Sequence, residues 1–148
     1  MKSIKFFSLL AAEQHLLEHQ EDIAVISIIS PKTKNPIKEQ FGRLENFIEF
    51  VFYDLSLKEY PEVEKEGYKC FDLEMAKNLV EFVELVKDKV NVNEIVVHCE
   101  GGFSRSAAVV KFISDFYFPD IPVKTYVVYN YWVYELLKEA KNATNQKG

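Results

Sequence analysis

The sequence predicts an α/β fold, a single three-layer domain with a mostly parallel central sheet and helices on both faces. Three observations predict it. Short β-branched runs alternate with longer helical patterns along the chain. One run, Ile23–Ile29, is almost wholly apolar, as expected of a strand buried on both faces. The 148 residues, 48% of them apolar, suit one domain (1–148) with a well-packed core. No internal repeat or low-complexity segment interrupts it.

The elements follow in order. Residues 4–7 read as a first strand, and Ser8 as the N-cap of a helix reaching about Glu18. Ile23–Ile29 is the second strand. Residues 30–46 contain Pro31, Pro36 and Gly42 and read as a loop with at most a helical turn. Residues 47–53, aromatic and β-branched, form a third strand that ends at Asp54. Residues 55–71 are polar, with Pro61 and Gly67, and read as a long surface loop, a kind of segment that often carries function. Residues 72–89 give the clearest helix, with Ala76, Leu79, Val80, Val83, Val86 and Val90 on one face. Glu94–His98 is a short strand. A glycine-containing loop follows, then a nearly all-apolar helix, Arg105–Tyr117, which belongs at the centre of the fold. Pro119 and Pro122 end it. Residues 123–140 are expected to be helical, with Asn130 capping the second half and a frayed tail from Lys141. The aromatic run Tyr126, Tyr129, Tyr131, Trp132 and Tyr134 is expected to pack that helix on the sheet.

The charge balance narrows the function classes. A net charge of −5 and a pI near 5.3 argue against broad binding to nucleic acid or an anionic membrane. An anionic substrate stays open, because a local field can oppose the net charge. Lys2 and Lys5 beside the apolar stretch at 6–12 faintly resemble a secretion leader. That stretch is short and Glu13 follows at once, so it is read as a strand entering a helix. No stretch is long enough to span a membrane. Two cysteines, Cys70 and Cys99, are too few for a disulfide framework and suit a reducing, cytoplasmic location. His15 and His19 stand four apart on a helix but find no further ligands in sequence, so no metal is expected.

The segment His98-Cys99-Glu100-Gly101-Gly102-Phe103-Ser104-Arg105-Ser106 lies between a strand and a helix. A loop turning into a helix N-terminus aims successive backbone N–H groups at one point, which makes an anion site. Gly101 and Gly102 permit the sharp path. Arg105 can hold two oxygens of a phosphate in a fork. Cys99 then lies beneath the phosphorus, in a position that activates a thiolate nucleophile. Ser106 can donate a hydrogen bond to the sulfur and ease its departure. Loop residues 100–104 supply the substrate-binding amides. Glu100 is expected to turn its carboxylate outward, and Phe103 to line the pocket wall or to pack on neighbouring loops.

The pattern His-Cys-x-x-Gly-x-x-Arg-Ser resembles the signature of the cysteine-based protein tyrosine phosphatases. The short chain is similar to their dual-specificity-like branch, including compact microbial and viral members. The resemblance implies a phosphatase P-loop between a strand and the central helix. It implies hydrolysis of a phosphorylated protein or peptide through a phosphocysteine, without a cofactor or metal. It makes His98 a supporting neighbour that tunes the cysteine. Asp54, past the end of the third strand, occupies the place where similar proteins carry their general acid, although its spacing from Cys99 is longer than in short members. Asp72, better read as an N-cap, and Glu59, Glu62 and Glu64 are rivals. Cys70 is a candidate partner for a protective disulfide with Cys99, as in some relatives. Two other functions remain: a phosphate-binding module with little turnover, and an enzyme using the same loop on RNA 5′-phosphates or arsenate. The acidic charge weighs against RNA.

Overall fold

A computed structural model of the chain describes residues 2–121, 123 and 128–147. The elements run β1 (Ser3–Phe7), α1 (Leu9–Glu18), β2 (Ile23–Ile29), α2 (Pro36–Phe41), β3 (Phe47–Val51), α3 (Leu73–Val86), β4 (Glu94–His98), α4 (Arg105–Tyr117) and α5 (Tyr131–Lys147). The four strands form one sheet in the order β1-β4-β2-β3, and every pairing is parallel.

This order dictates the layers. The chain steps one way across the sheet from β1 to β2 to β3, then reverses to insert β4 between β1 and β2. Right-handed crossovers place α1 and α2 on one face and α3 on the other. The buried side chains divide accordingly. Ala12 and Leu16 of α1 and Ile37 and Phe41 of α2 pack on Ile23 and Val25. Leu79 and Val83 of α3, Val109 and Phe112 of α4 and Val133 and Leu137 of α5 pack with Ala24, Ile26, Ile28, Ile95 and Val97 on the other face. β2 is buried along its whole length, which explains why its sequence shows no alternation.

Local chemistry sets the helix starts. Ser8 Oγ accepts the Ala11 N–H at 3.2 Å and caps α1. Asp72 Oδ1 accepts the Met75 N–H at 2.8 Å and caps α3. Helix α2 occupies part of the segment that the sequence pattern assigns to a loop. Its cap is Asn35, whose Oδ1 accepts from Ile37 N–H at 3.1 Å, and Pro36 takes the first helical position, where its missing N–H costs nothing. The proline that reads as a breaker is therefore a starter.

Other boundaries also shift. β3 stops at Val51, short of Tyr53. Helix α3 ends at Val86, and Val90, predicted on its apolar face, is 95% exposed. Helix α5 begins at Tyr131 rather than at 123, and part of the predicted earlier stretch, 124–127, lies outside the described residues, as does Tyr126. Asn130 Oδ1 does cap α5, accepting from Val133 N–H at 3.1 Å. The helix continues past Lys141 to Lys147, where fraying is expected from the sequence. Trp132 Nε1 donates to the Phe71 carbonyl at 2.7 Å and fastens α5 to the entrance of α3. Among the described residues, no helix is long and apolar enough to cross a membrane.

The Asp72 cap offers a stability test. Burial raises its carboxyl pKa, but the Lys69 ammonium and the Met75 and Glu74 amides outweigh burial and hold it below the usual value. A lowered folded pKa contributes stability above the unfolded value of about 3.9, lost as pH falls through the folded value. Asp72→Ala is expected to lower the unfolding free energy by about 1 kcal/mol at neutral pH. The difference should shrink in urea melts run below about pH 3.9. An unchanged urea midpoint at neutral pH would show that the Asp72 side chain does not stabilise the start of α3.

Candidate active site

In a parallel sheet the carboxyl ends of the strands collect along one edge. The residues just past those ends are Ser8 after β1, Ser30 after β2, Phe52 after β3 and Cys99 after β4. The helix after β4 packs on one face and the helix after the neighbouring β2 on the other. At such a switch point the departing connections diverge and leave a crevice.

Cys99 is 2% exposed, and one side of it belongs to the main core. Its sulfur nevertheless has polar neighbours. The Gly102 N–H donates to Sγ at 3.2 Å, and Ser106 Oγ lies 3.1 Å from Sγ. Residues 99–102 thus curl back over the sulfur. That curl needs glycine at 102, where φ is +76° and a Cβ would stand 2.3 Å from the Ser8 nitrogen. The Cys99 N–H donates to the Phe7 carbonyl at 3.3 Å and the Leu9 N–H to the Glu100 carbonyl at 3.1 Å, so the start of the loop is tied to the β1–α1 junction.

Arg105, the first residue of α4, is 6% exposed. Its Nη1 donates to the Phe52 carbonyl at 2.7 Å and to Ser30 Oγ at 3.0 Å, and its Nη2 donates to Glu100 Oε1 at 3.4 Å. The guanidinium also lies 5.9 Å from the centre of the Phe52 ring. Three of its five N–H donors are used by these acceptors. Nε–H and one Nη2–H have no protein acceptor among the described residues.

Glu100 corrects the sequence expectation. Its carboxylate does not turn outward: Oε1 accepts the Ser30 N–H at 2.8 Å and faces Arg105. The reason is electrostatic. A nearly buried guanidinium draws in the nearest carboxylate. Burial works to raise the Glu100 pKa, and the Ser30 hydrogen bonds and the Arg105 charge override it and hold it below the usual carboxylate value.

Ser104 precedes α4 but does not cap it. Its Oγ donates instead to Asp54 Oδ1 at 2.8 Å, bringing the proposed acid to the loop's edge. Asn130 Nδ2 donates to the same Oδ1 at 2.8 Å and to the Leu55 carbonyl at 3.3 Å, while its backbone N–H donates to the Ser104 carbonyl at 3.2 Å. Asn130 therefore locks Asp54, the loop and α5 together. A cleft of about 300 Å³ opens there, lined by residues including Asp54, Glu59, Tyr60, Ser104, Tyr129 and Tyr131. Cys99 and Arg105 are not part of that lining. Phe103 is 56% exposed, and its ring rests against Gly101.

His98 is fully buried beneath the loop. Its Nε2 lies 2.5 Å from Ser27 Oγ, and its Nδ1 faces the Cys99 carbonyl at 3.3 Å. Asn35 Nδ2 donates to both Ser27 Oγ and Glu49 Oε2 at 2.9 Å, which extends the network to the surface. Burial pushes the imidazole pKa down to about 4, so it is neutral at physiological pH.

The structure thus assembles Cys99, Arg105, Ser106, Asp54, Ser104 and the two loop glycines, with Glu100 and Phe103 on the rim. The rivals of Asp54 have other tasks. Asp72 caps α3, Glu62 pairs with Lys65, Glu64 accepts the Cys70 N–H, and only Glu59 shares the cleft with Asp54. Cys70 is a free, buried thiol whose Sγ donates to the Tyr68 carbonyl at 3.7 Å; burial pushes its pKa up. His15 is engaged by Glu94 and stacks on His19, and no group of three or more potential metal ligands occurs among the described residues. Sequence reasoning missed Ser30, the Phe52 carbonyl and the second role of Asn130. Ser30 and Phe52 carry no motif. Asn130, a polar residue within an aromatic run, was visible only as a cap.

No protein-family model matches the chain, and no curated protein matches it significantly.

The His98 environment predicts a titration. A folded pKa lowered from 6.5 to about 4 destabilises the fold on acidification, since between those values the unfolded chain takes up the proton. The His98 ring is expected to titrate near 4 in an NMR series, and stability should fall as pH drops from 6.5 towards 4. A midpoint near 6.5 would show that the imidazole is not buried as described.

Proposed function

We propose that the chain is a cysteine-dependent phosphomonoesterase of the protein tyrosine or dual-specificity phosphatase kind, acting on a phosphorylated protein or peptide. The observation that carries this reading is the setting of the Cys99 sulfur. An amide N–H and a hydroxyl are directed at it, and it lies in a loop that starts a helix with an anchored arginine at its first position.

In the proposed reaction the Cys99 thiolate attacks phosphorus and the bond to the leaving oxygen breaks. Asp54 gives that oxygen its proton. Arg105, through Nε–H and the remaining Nη2–H, and the loop amides stabilise the equatorial oxygens, where charge develops. Water, deprotonated by Asp54, then attacks the phosphocysteine. Phosphate departs, and the sulfur leaves as a thiolate that Ser106 stabilises with a hydrogen bond. His98 holds the Cys99 carbonyl and takes no proton, in keeping with its low pKa. The exposed Phe103 and the tyrosines of the neighbouring cleft favour an aromatic phosphoester.

The purified protein is expected to hydrolyse p-nitrophenyl phosphate with no metal added. Cys99→Ser should reduce kcat by at least about a thousandfold. Substantial activity in that variant would refute the mechanism. Oxyanion binding without turnover in the wild type would leave a phosphate-binding module.

Asp54→Asn tests the acid separately. It should cost about 10²- to 10⁴-fold in kcat for alkyl phosphates, and much less for substrates whose leaving group needs no proton. Equal losses on both would assign the proton to another residue, with Glu59 next in line.

A further inference from the structure

Glu100 sits where an anion site should least tolerate it. It is the first residue after the nucleophile, and its carboxylate faces the same guanidinium that the proposed substrate needs. Resting on the phosphatase reading above, we propose that Glu100 is a positioning residue whose hydrogen bonds complete the anchoring of the Arg105 guanidinium and whose charge tempers the loop's affinity for phosphate.

Two features separate these roles. The first is geometric. Phe52 and Ser30 both hold Nη1, so on that side the guanidinium is fixed at a single nitrogen. Glu100 holds Nη2 at 3.4 Å and so adds a third anchor at a second nitrogen, which resists in-plane rocking about Nη1. Its Oε1 also accepts the Ser30 N–H, and the Ser30 hydroxyl accepts from Nη1. Ser30, Glu100 and Arg105 form a closed ring of hydrogen bonds joining the ends of β2 and β4 to the start of α4. With that ring in place, Nε–H and the second Nη2–H are left for the substrate.

The second feature is charge. Glu100 is the only carboxylate within ion-pair distance of Arg105 among the described residues. In the free protein it offsets a cation that is 6% exposed. When a phosphate dianion arrives, the same carboxylate repels it. The side chain is 37% exposed, so the repulsion is partly screened by water. The loop then binds anions less tightly than a bare arginine would, which helps inorganic phosphate to leave.

Substitutions at 100 divide the two roles. Glu100→Gln keeps an acceptor for the Ser30 and Arg105 donors and removes the charge. Glu100→Ala removes both. With p-nitrophenyl phosphate, Glu100→Gln is expected to keep at least about three times the kcat of Glu100→Ala and to bind inorganic phosphate at least about threefold more tightly than wild type, read as a competitive inhibition constant. Glu100→Ala is expected to lose at least about tenfold in kcat. Thermal melts of both variants show whether any loss reflects unfolding. If Glu100→Ala is folded and keeps the wild-type kcat, or if Glu100→Gln loses as much as Glu100→Ala, the positioning role is wrong. If the phosphate inhibition constant of Glu100→Gln equals that of wild type, the tempering role is wrong. Wild-type protein that neither hydrolyses the ester nor binds phosphate overturns the phosphatase reading itself, and this inference with it.

Discussion

A nearly buried guanidinium governs the architecture of the site. Arg105 enters the protein at the first turn of α4, and removing such a cation from water costs several kcal/mol unless acceptors replace the lost hydration. The acceptors come from three places: Ser30 past β2, Phe52 past β3 and Glu100 past β4. No two of them are close in sequence. The parallel sheet brings them together because all its carboxyl ends lie on one edge, and the reversal of strand order makes room for them between diverging helices. The fold therefore delivers the site, and the arginine in turn joins three of the four strand ends.

The loop between Cys99 and Arg105 is a compromise between packing and chemistry. Its start is pinned to the β1–α1 junction by backbone hydrogen bonds, and Gly102 is needed because that contact leaves no space for a Cβ. Beneath it, His98, Ser27, Asn35 and Glu49 form a polar chain inside an otherwise apolar layer. Each member is satisfied by its neighbour, which is what makes such a network tolerable in a core. On the outer side Ser104 gives up its capping role to hold Asp54, and Asn130 grips the same carboxylate from α5. The loop is held from below by the neutral His98 and from the side by Asn130, while the Cys99 sulfur has the Gly102 N–H and Ser106 Oγ beside it and two Arg105 donors have no protein acceptor among the described residues.

Much of this was legible in the sequence, and the misses have physical reasons. The strands Ile23–Ile29 and Glu94–His98 and the helix Arg105–Tyr117 follow directly from apolar runs bounded by polar or breaking residues. The Ser8 and Asp72 caps follow from short polar side chains standing just before apolar periodicity. Helix α2 was hidden because Pro36 was weighed as a breaker and not as a first helical residue. Val90 fits a helical wheel, but the helix ends before reaching it. The inward turn of Glu100 could not be read from a loop motif, because it depends on how deeply Arg105 is buried. Ser30 and Asn130 are ordinary residues in sequence and become important only when the strand ends and α5 converge. Local patterns thus singled out Cys99 and Arg105 as candidates, whereas the residues that hold them are set by long-range packing.

In the proposed phosphatase the Cys99 sulfur and the free edge of Arg105 face one oxyanion. A crystal structure of the wild-type protein grown with orthovanadate tests it most directly. Vanadium is expected to bond to the Cys99 sulfur, with equatorial oxygens accepting from Arg105 and from the amides of the loop. Vanadate bound elsewhere, with the sulfur still enclosed by apolar side chains, would contradict it.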